Sequence, residues 1–265
     1  MAVAFKAPVK DIVFGYEVVE TYDIISKIPA FSDFNEDIVI PTMEECAKFA
    51  EEVLAPINAI GDQQGATIKD GKVTMPKEFV DAYKSFSEAG WASISLPSEI
   101  GGGGMPIALS GGTLEILSTA NLAFGLAPGL AAGAISAINF HGSEDQKAKF
   151  LPKLVSGEWT GTMNLSEPQS GSDLGTITTK AEPQEDGTYK ITGTKVWITF
   201  GEHDLTDNII HLVLAKIPGS PEGTKGISMF IVPKVMVNED GSLGVDNNVS
   251  CISIEENLGI HASPT

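Results

Sequence analysis

The chain has 265 residues, long enough for one large or two modest domains, and an ordinary globular composition with 42% apolar and 20% charged residues. Its formal net charge of −18 argues against nucleic acid, whose phosphates it would repel, and against docking on anionic lipid. Two distant cysteines, Cys46 and Cys251, give neither a disulfide framework nor a CxxC metal site, and a reducing compartment is the default.

The N-terminus carries neither a basic-then-apolar signal nor an Arg-rich transit sequence. Met43, Ala47, Ala50 and Leu54 recur at helical spacing, and Pro56 is expected to stop that helix. Pro76 opens a second helix, with Phe79, Tyr83 and Phe86 on its apolar face and Gly90 at its end. Gly101 to Gly104 lies in a loop and lacks the strand–GxGxxG–helix context of a dinucleotide fold. Leu122 to Ile138 is a near-continuous apolar run, shorter than the ~20 residues that cross a bilayer. It reads as a buried central helix pair. Ser143 and Gln146 form a capping box ahead of Lys147 to Val155, where Pro152 is expected to kink or shorten the helix.

From Thr160 the period changes. Strands are expected at Thr162–Leu165, Thr178–Glu182, Thr188–Thr192, Lys195–Thr199, Ile209–Lys216, Ile227–Val232 and Cys251–Ile254. Asp186-Gly187 and Asp240-Gly241 are hairpin signals. Helices followed by strands imply a segregated α+β fold with a boundary near Gly157 to Thr160, not alternating β-α-β units. Four scattered histidines, at 141, 203, 211 and 261, lack metal-ligand spacing and read as surface or satisfied core residues.

Two segments carry the functional signal. Leu165-Ser166-Glu167-Pro168-Gln169-Ser170-Gly171-Ser172-Asp173 ends a strand in a turn offering backbone N–H groups, hydroxyls and a glycine that admits a close ligand. Lys195-Val196-Trp197-Ile198-Thr199 reads as a strand placing an indole and a hydroxyl on one face, since positions i and i+2 point the same way. Such a plate beside a donor suits a flavin ring.

In this order the segments resemble the acyl-CoA dehydrogenase signature Leu-Ser-Glu-Pro-x-Ser-Gly-Ser-Asp followed by Gly-x-Lys-x-Trp-Ile-Thr, here Gly193 to Thr199. Trp91 to Pro106 and His141 to Gly161 are also family-like. Asn164 and Thr176 stand where the family usually has small residues. Phe200 stands where Asn is frequent, and is expected to alter the shape near the flavin. The leading Phe5 to Asp11 resembles a bacterial branch some of whose members act on 3-(methylthio)propanoyl-CoA.

The resemblance implies a helical domain over 1–158, with an N-terminal extension over about 1–36. A β-sandwich or barrel domain over 159–265 follows, and the family's C-terminal helical bundle is expected to lie outside the chain. It implies FAD as cofactor, an acyl-CoA as substrate, electron-transferring flavoprotein as acceptor, a cytoplasmic homo-oligomer (dimer or tetramer) and a place in fatty acid metabolism. Met163, Leu165 and Ser166 would line the flavin ring, and Gly171 and Ser172 would meet the pyrophosphate. Ser172 would also border the CoA, Trp197 would stack on the ring, and Thr199 would bond near N5. Glu167 and Asp173 read as shaping the turn. The family's catalytic glutamate lies in the C-terminal bundle, so no residue here is assigned as the base and the chain alone is expected to be inactive. An acyl-CoA oxidase and a non-catalytic binding module on the same fold are the alternatives.

Overall fold

A computed structural model describes residues 4–264. The helical part opens with α1 (Val9–Val18), α2 (Thr21–Ile25) and α3 (Glu36–Phe49). A π-helical turn, Ala50–Leu54, then runs without interruption into α4 (Ala55–Gln64). Pro56 therefore does not stop the helix. A proline inside an α-helix lacks its N–H and clashes with the carbonyl four residues back. The wider π turn immediately before Pro56 re-spaces that backbone, and the residue sits in the first turn of α4, where its missing donor is least felt. The N-terminal extension belongs to this core: Ile12 and Val13 of α1 are buried, and Tyr16 donates its hydroxyl to the Ala108 carbonyl.

A hairpin missed in the sequence, β1 (Thr67–Lys69) and β2 (Lys72–Thr74), turns at Asp70-Gly71, both with positive φ. In α5 (Lys77–Glu88), Phe79, Ala82, Tyr83 and Phe86 line one buried stripe at helical spacing. Their rings meet Phe124, which stands 5.6 Å from Phe86 in an edge-on arrangement and 6.3 Å from Phe79. Phe124 belongs to the second of three consecutive helices, α6 (Ile107–Ala120), α7 (Leu122–His141) and α8 (Glu144–Val155). The apolar run is thus one 20-residue helix, not a pair; it carries Pro128 and is long and apolar enough to cross a membrane. Here it packs into the fold, with Phe124, Ala127, Ala134 and Ile138 buried. The capping box of α8 is formed in both directions, and Pro152 lies in its last turns without ending it.

The second layer is a curled sheet. The long strand β6 (Ile209–Lys216) pairs in parallel with β3 (Thr160–Asn164) and antiparallel with β7 (Ile227–Pro233). The hairpin of β4 (Lys180–Pro183) and β5 (Tyr189–Thr192) joins through a Lys180–Lys216 bridge. Asp186 Oδ1 accepts from Thr188 N–H at 2.9 Å in that hairpin's turn. Asp240 Oδ1 does the same for Ser242, at 3.0 Å, between β8 (Val235–Val237) and β9 (Leu243–Asp246). The expected strands at Lys195–Thr199 and Cys251–Ile254 are absent; both segments run without ladder partners.

Helix α7 lies directly on β3. A Cβ at Gly161 would stand 2.5 Å from Ala134 Cβ, so only glycine permits this approach. Ile138, Phe150, Leu154 and Trp159 pack here against Ile210 and Leu212, and Met163 joins them half-buried. A second core fills the helical part and takes in Phe200 and Ala262 from the far end of the chain.

Candidate flavin site

Strand β3 delivers the hydroxyl-rich turn. Glu167 and Ser170 exchange backbone hydrogen bonds at 2.7 and 2.9 Å, closing the loop over Pro168-Gln169. The Glu167 side chain turns inward and is buried. Its carboxylate accepts from Thr178 N–H (2.7 Å) and Oγ1 (2.9 Å), Thr179 N–H (3.1 Å) and Oγ1 (2.6 Å), Gln169 Nε2 (2.8 Å) and Lys195 Nζ (2.8 Å). Burial alone would push this carboxyl up. The bonds from Lys195, Thr179, Thr178 and Gln169 outweigh it and hold the group well below the ordinary carboxylate range. With its lone pairs occupied, Glu167 organises the turn and is not presented to a ligand. Asp173 likewise bonds Gly175 N–H at 2.9 Å, while its carbonyl accepts from Ser170 Oγ (2.7 Å) and Thr176 Oγ1 (3.0 Å).

The second segment is clamped onto the first. Lys195 Nζ donates to Leu165 O at 3.0 Å as well as to Glu167, and Val196 N–H donates to Ser166 O at 3.0 Å. The expected strand geometry fails, however. Trp197 has φ 59° and Phe200 φ 54°, so the chain bends twice and the i, i+2 argument for Trp197 and Thr199 does not hold. Phe200 N–H is tied to Pro264 O at 2.9 Å and Gly201 N–H to Ile198 O at 2.7 Å, which pulls the chain into a turn. Phe200 is buried in the helical core, with its ring edge-on to His203.

The expected site residues fall into three groups. Ser166 and Trp197 come together at the clamp, through the bond from Val196, while Thr199 lies two residues further along the bent segment. The Trp197 indole is 59% exposed, against the usual burial of tryptophan. Gly171 and Ser172 lie exposed on the loop beyond. A Cβ at Gly171 would meet nothing within 4 Å, so the chain's own packing does not require glycine there. Met163 points to the helix layer, and Leu165 is held through its carbonyl. The hydroxyls of Ser166, Ser172 and Thr199 make no hydrogen bond among the described residues. A cavity of ≈ 1060 Å³ borders Asn164, Lys195, Trp197 and His211, but Ser166, Gly171, Ser172 and Thr199 are not on its wall.

Sequence reasoning missed a buried polar group beside this turn. His203 and His211 are both buried, and the Glu202–Lys234 ion pair lies beside them. His211 is not a satisfied core residue, because its Nε2 is buried with no partner among the described residues. The signal was present: Thr160, Thr162 and Asn164 alternate along β3, so polar atoms share one buried face. The cysteine thiols are free, and burial pushes Cys46 up to about 12.

The arrangement offers an exposed aromatic plate at the clamp and, on the loop beyond it, unengaged hydroxyls and an open glycine backbone. Residues 42–158 match the family model of the acyl-CoA dehydrogenase N-terminal domain, and residues 162–265 match that of the middle domain. A 3-methylmercaptopropionyl-CoA dehydrogenase of Ruegeria pomeroyi is 45% identical over 98% of this chain, which spans 44% of that relative's length. An acyl-CoA dehydrogenase structure from Bacillus anthracis, complexed with FAD, superposes with a TM-score of 0.66 at 27% identity, covering 88% of this chain and 35% of the other. A chain from a structure of the electron transferring flavoprotein of Acidaminococcus fermentans gives 0.66 at 25% identity, covering 87% and 54%.

Proposed function

The chain belongs to the acyl-CoA dehydrogenase family, and from that premise we propose that it forms the flavin-holding portion of an FAD-dependent enzyme that desaturates an acyl-CoA to its 2,3-enoyl thioester. The observation that carries this is the clamp of Lys195 and Val196 onto Leu165, Ser166 and Glu167. It gathers an exposed indole and an unengaged hydroxyl, groups that a flat, polar-edged ring requires.

When bound, FAD supplies the redox chemistry by taking the hydride from the β-carbon. Trp197 offers the ring a stacking face. Ser166 and Thr199 would donate to its polar edges. Gly171 would let the backbone approach the pyrophosphate, and Ser172 would meet that group and border the CoA. Met163 and Leu165 support the floor. Glu167 holds no proton for the reaction, and no residue of this chain is assigned to remove the α-proton. Residues 1–265 alone are expected to leave acyl-CoA unchanged.

A net charge of −18 repels an anionic thioester, so local cations matter. Lys216 Nζ donates to Gly175 O at 2.7 Å. One cation therefore stands beside the loop that bears Ser172.

The likeness to the Ruegeria dehydrogenase favours a methylthio-propanoyl thioester as substrate, and the likeness to the chain from the Acidaminococcus flavoprotein structure favours electron-transferring flavoprotein as acceptor. A thioester panel on the intact enzyme tests this. Turnover of 3-(methylthio)propanoyl-CoA about tenfold better than butanoyl-CoA in kcat/KM supports it; equal or poorer turnover ends the substrate assignment.

A further inference from the structure

Thr160, Thr162 and Asn164 share the buried face of β3, and two histidines meet it with opposite proton placement. Leu205 N–H donates to His203 Nδ1 at 3.2 Å, so that ring carries its proton on Nε2 and gives it to Thr160 Oγ1 at 2.9 Å. His211 is arranged the other way. The Thr162 hydroxyl donates to Asn164 Oδ1 at 2.6 Å, which leaves its oxygen to accept from His211 Nδ1–H at 2.7 Å; Asn164 Nδ2, itself a donor, stands 3.5 Å from the same nitrogen, at the outer limit, and forgoes that bond. Nε2 of His211 is then an unprotonated acceptor, buried with no partner among the described residues.

Thr162 and His211 are also cross-strand partners in the β3–β6 register. The relay His211–Thr162–Asn164 therefore ends on the last residue of β3. The next two residues are Leu165 and Ser166, whose carbonyls are held from the other side by Lys195 and Val196. The exit of the chain from β3 is fixed from both directions.

We propose that His211 is a positioning residue for the flavin edge, acting through Thr162 and Asn164 to set the direction in which Leu165 and Ser166 leave the strand. This rests on the flavin reading above. The charged groups around the relay are Lys234, its ion-pair partner Glu202, and His203 when protonated. Burial, then the nearby Lys234 charge, lowers His211 to about 4, so the ring is neutral across the working range.

Two variants of the intact protein test the proposal. His211→Asn keeps an N–H near the position of Nδ1; His211→Leu does not. The leucine variant should hold FAD about tenfold more weakly and show a shifted flavin reduction potential, while the asparagine variant returns both to within about threefold of the parent. Nitrogen-15 NMR should find the proton on Nδ1 of His211 and on Nε2 of His203. Unchanged FAD affinity and potential in the leucine variant, equal loss in both variants, or a proton on Nε2 of His211 would overturn it. If the unaltered protein takes up no FAD, the flavin reading fails separately. The proposal is then decided by the ring protonation and by the Leu165 and Ser166 amide shifts, which must move in His211→Leu and return in His211→Asn.

Discussion

Lys195 Nζ lies 2.8 Å from Glu167 Oε1, with 9% of the lysine side chain and 1% of the glutamate side chain exposed. The pair joins the two functional segments across 28 residues, and each partner is the other's compensation. Removing one strands a buried charge, which costs about 3–5 kcal/mol. Lys195→Met and Glu167→Gln should each destabilise the protein in urea. The double variant should lose less than the sum of the two, because neither charge is then left alone. Additive losses would show that the pair is not coupled.

Acid should weaken the protein in two ways. Burial, then the nearby Lys234 charge, lowers His203 to about 3 and His211 to about 4, below the ordinary value of 6.5. The unfolded chain takes up these protons first, so stability falls as pH drops from about 6.5 toward 4, by about 1.4 kcal/mol per pH unit per histidine at the limit. Glu167 is held below its ordinary 4.5, so the stability it contributes is present above that pH and is lost as pH falls below it. Urea midpoints measured from pH 8 to 4 check the slope. Replacing His203 and His211 together with residues that do not titrate should flatten it between pH 6.5 and 4.5, leaving the Glu167 contribution below.

Trp197 separates binding from stability. An exposed indole contributes little to the fold, so Trp197→Ala should change stability by no more than about 0.5 kcal/mol. The same change should weaken FAD binding by about tenfold or more, since a stacked aromatic pair contributes about 0.5–1.5 kcal/mol beyond its buried area. Calorimetric melting beside a flavin titration reads both. A large stability loss would mark the indole as structural.

Gly171→Ala makes the complementary case. Nothing stands within 4 Å of the added Cβ, and the residue is not in the positive-φ region. Stability should stay level or rise by about 0.4–1 kcal/mol through the unfolded chain. FAD affinity should fall because the backbone no longer approaches the pyrophosphate. Unaltered affinity would remove Gly171 from the site.

Local signals explain which parts were legible in the sequence. The Ser143–Gln146 box, the Phe79–Phe86 stripe and the two Asp-Gly turns are set by neighbours within a few residues, and each formed as the pattern demands. Asp70-Gly71 carried the same turn chemistry and was overlooked. Lys195–Thr199 misled because its conformation is set from afar. The Lys195–Glu167 pair and the Phe200–Pro264 bond impose two left-handed residues that no periodicity encodes. Pro56 misled for the opposite reason, since the helix absorbed it by widening one turn. In the site, the residue types were readable, but the buried face of Thr162, Asn164 and His211 emerged only once β3 and β6 were paired.

The most direct measurement is the visible spectrum of the intact protein, purified without added cofactor and then titrated with FAD. Bound flavin near one per chain, with its absorption perturbed in the parent and restored toward free flavin in Trp197→Ala, is the expected result. A colourless protein that takes up no FAD on titration would contradict the account.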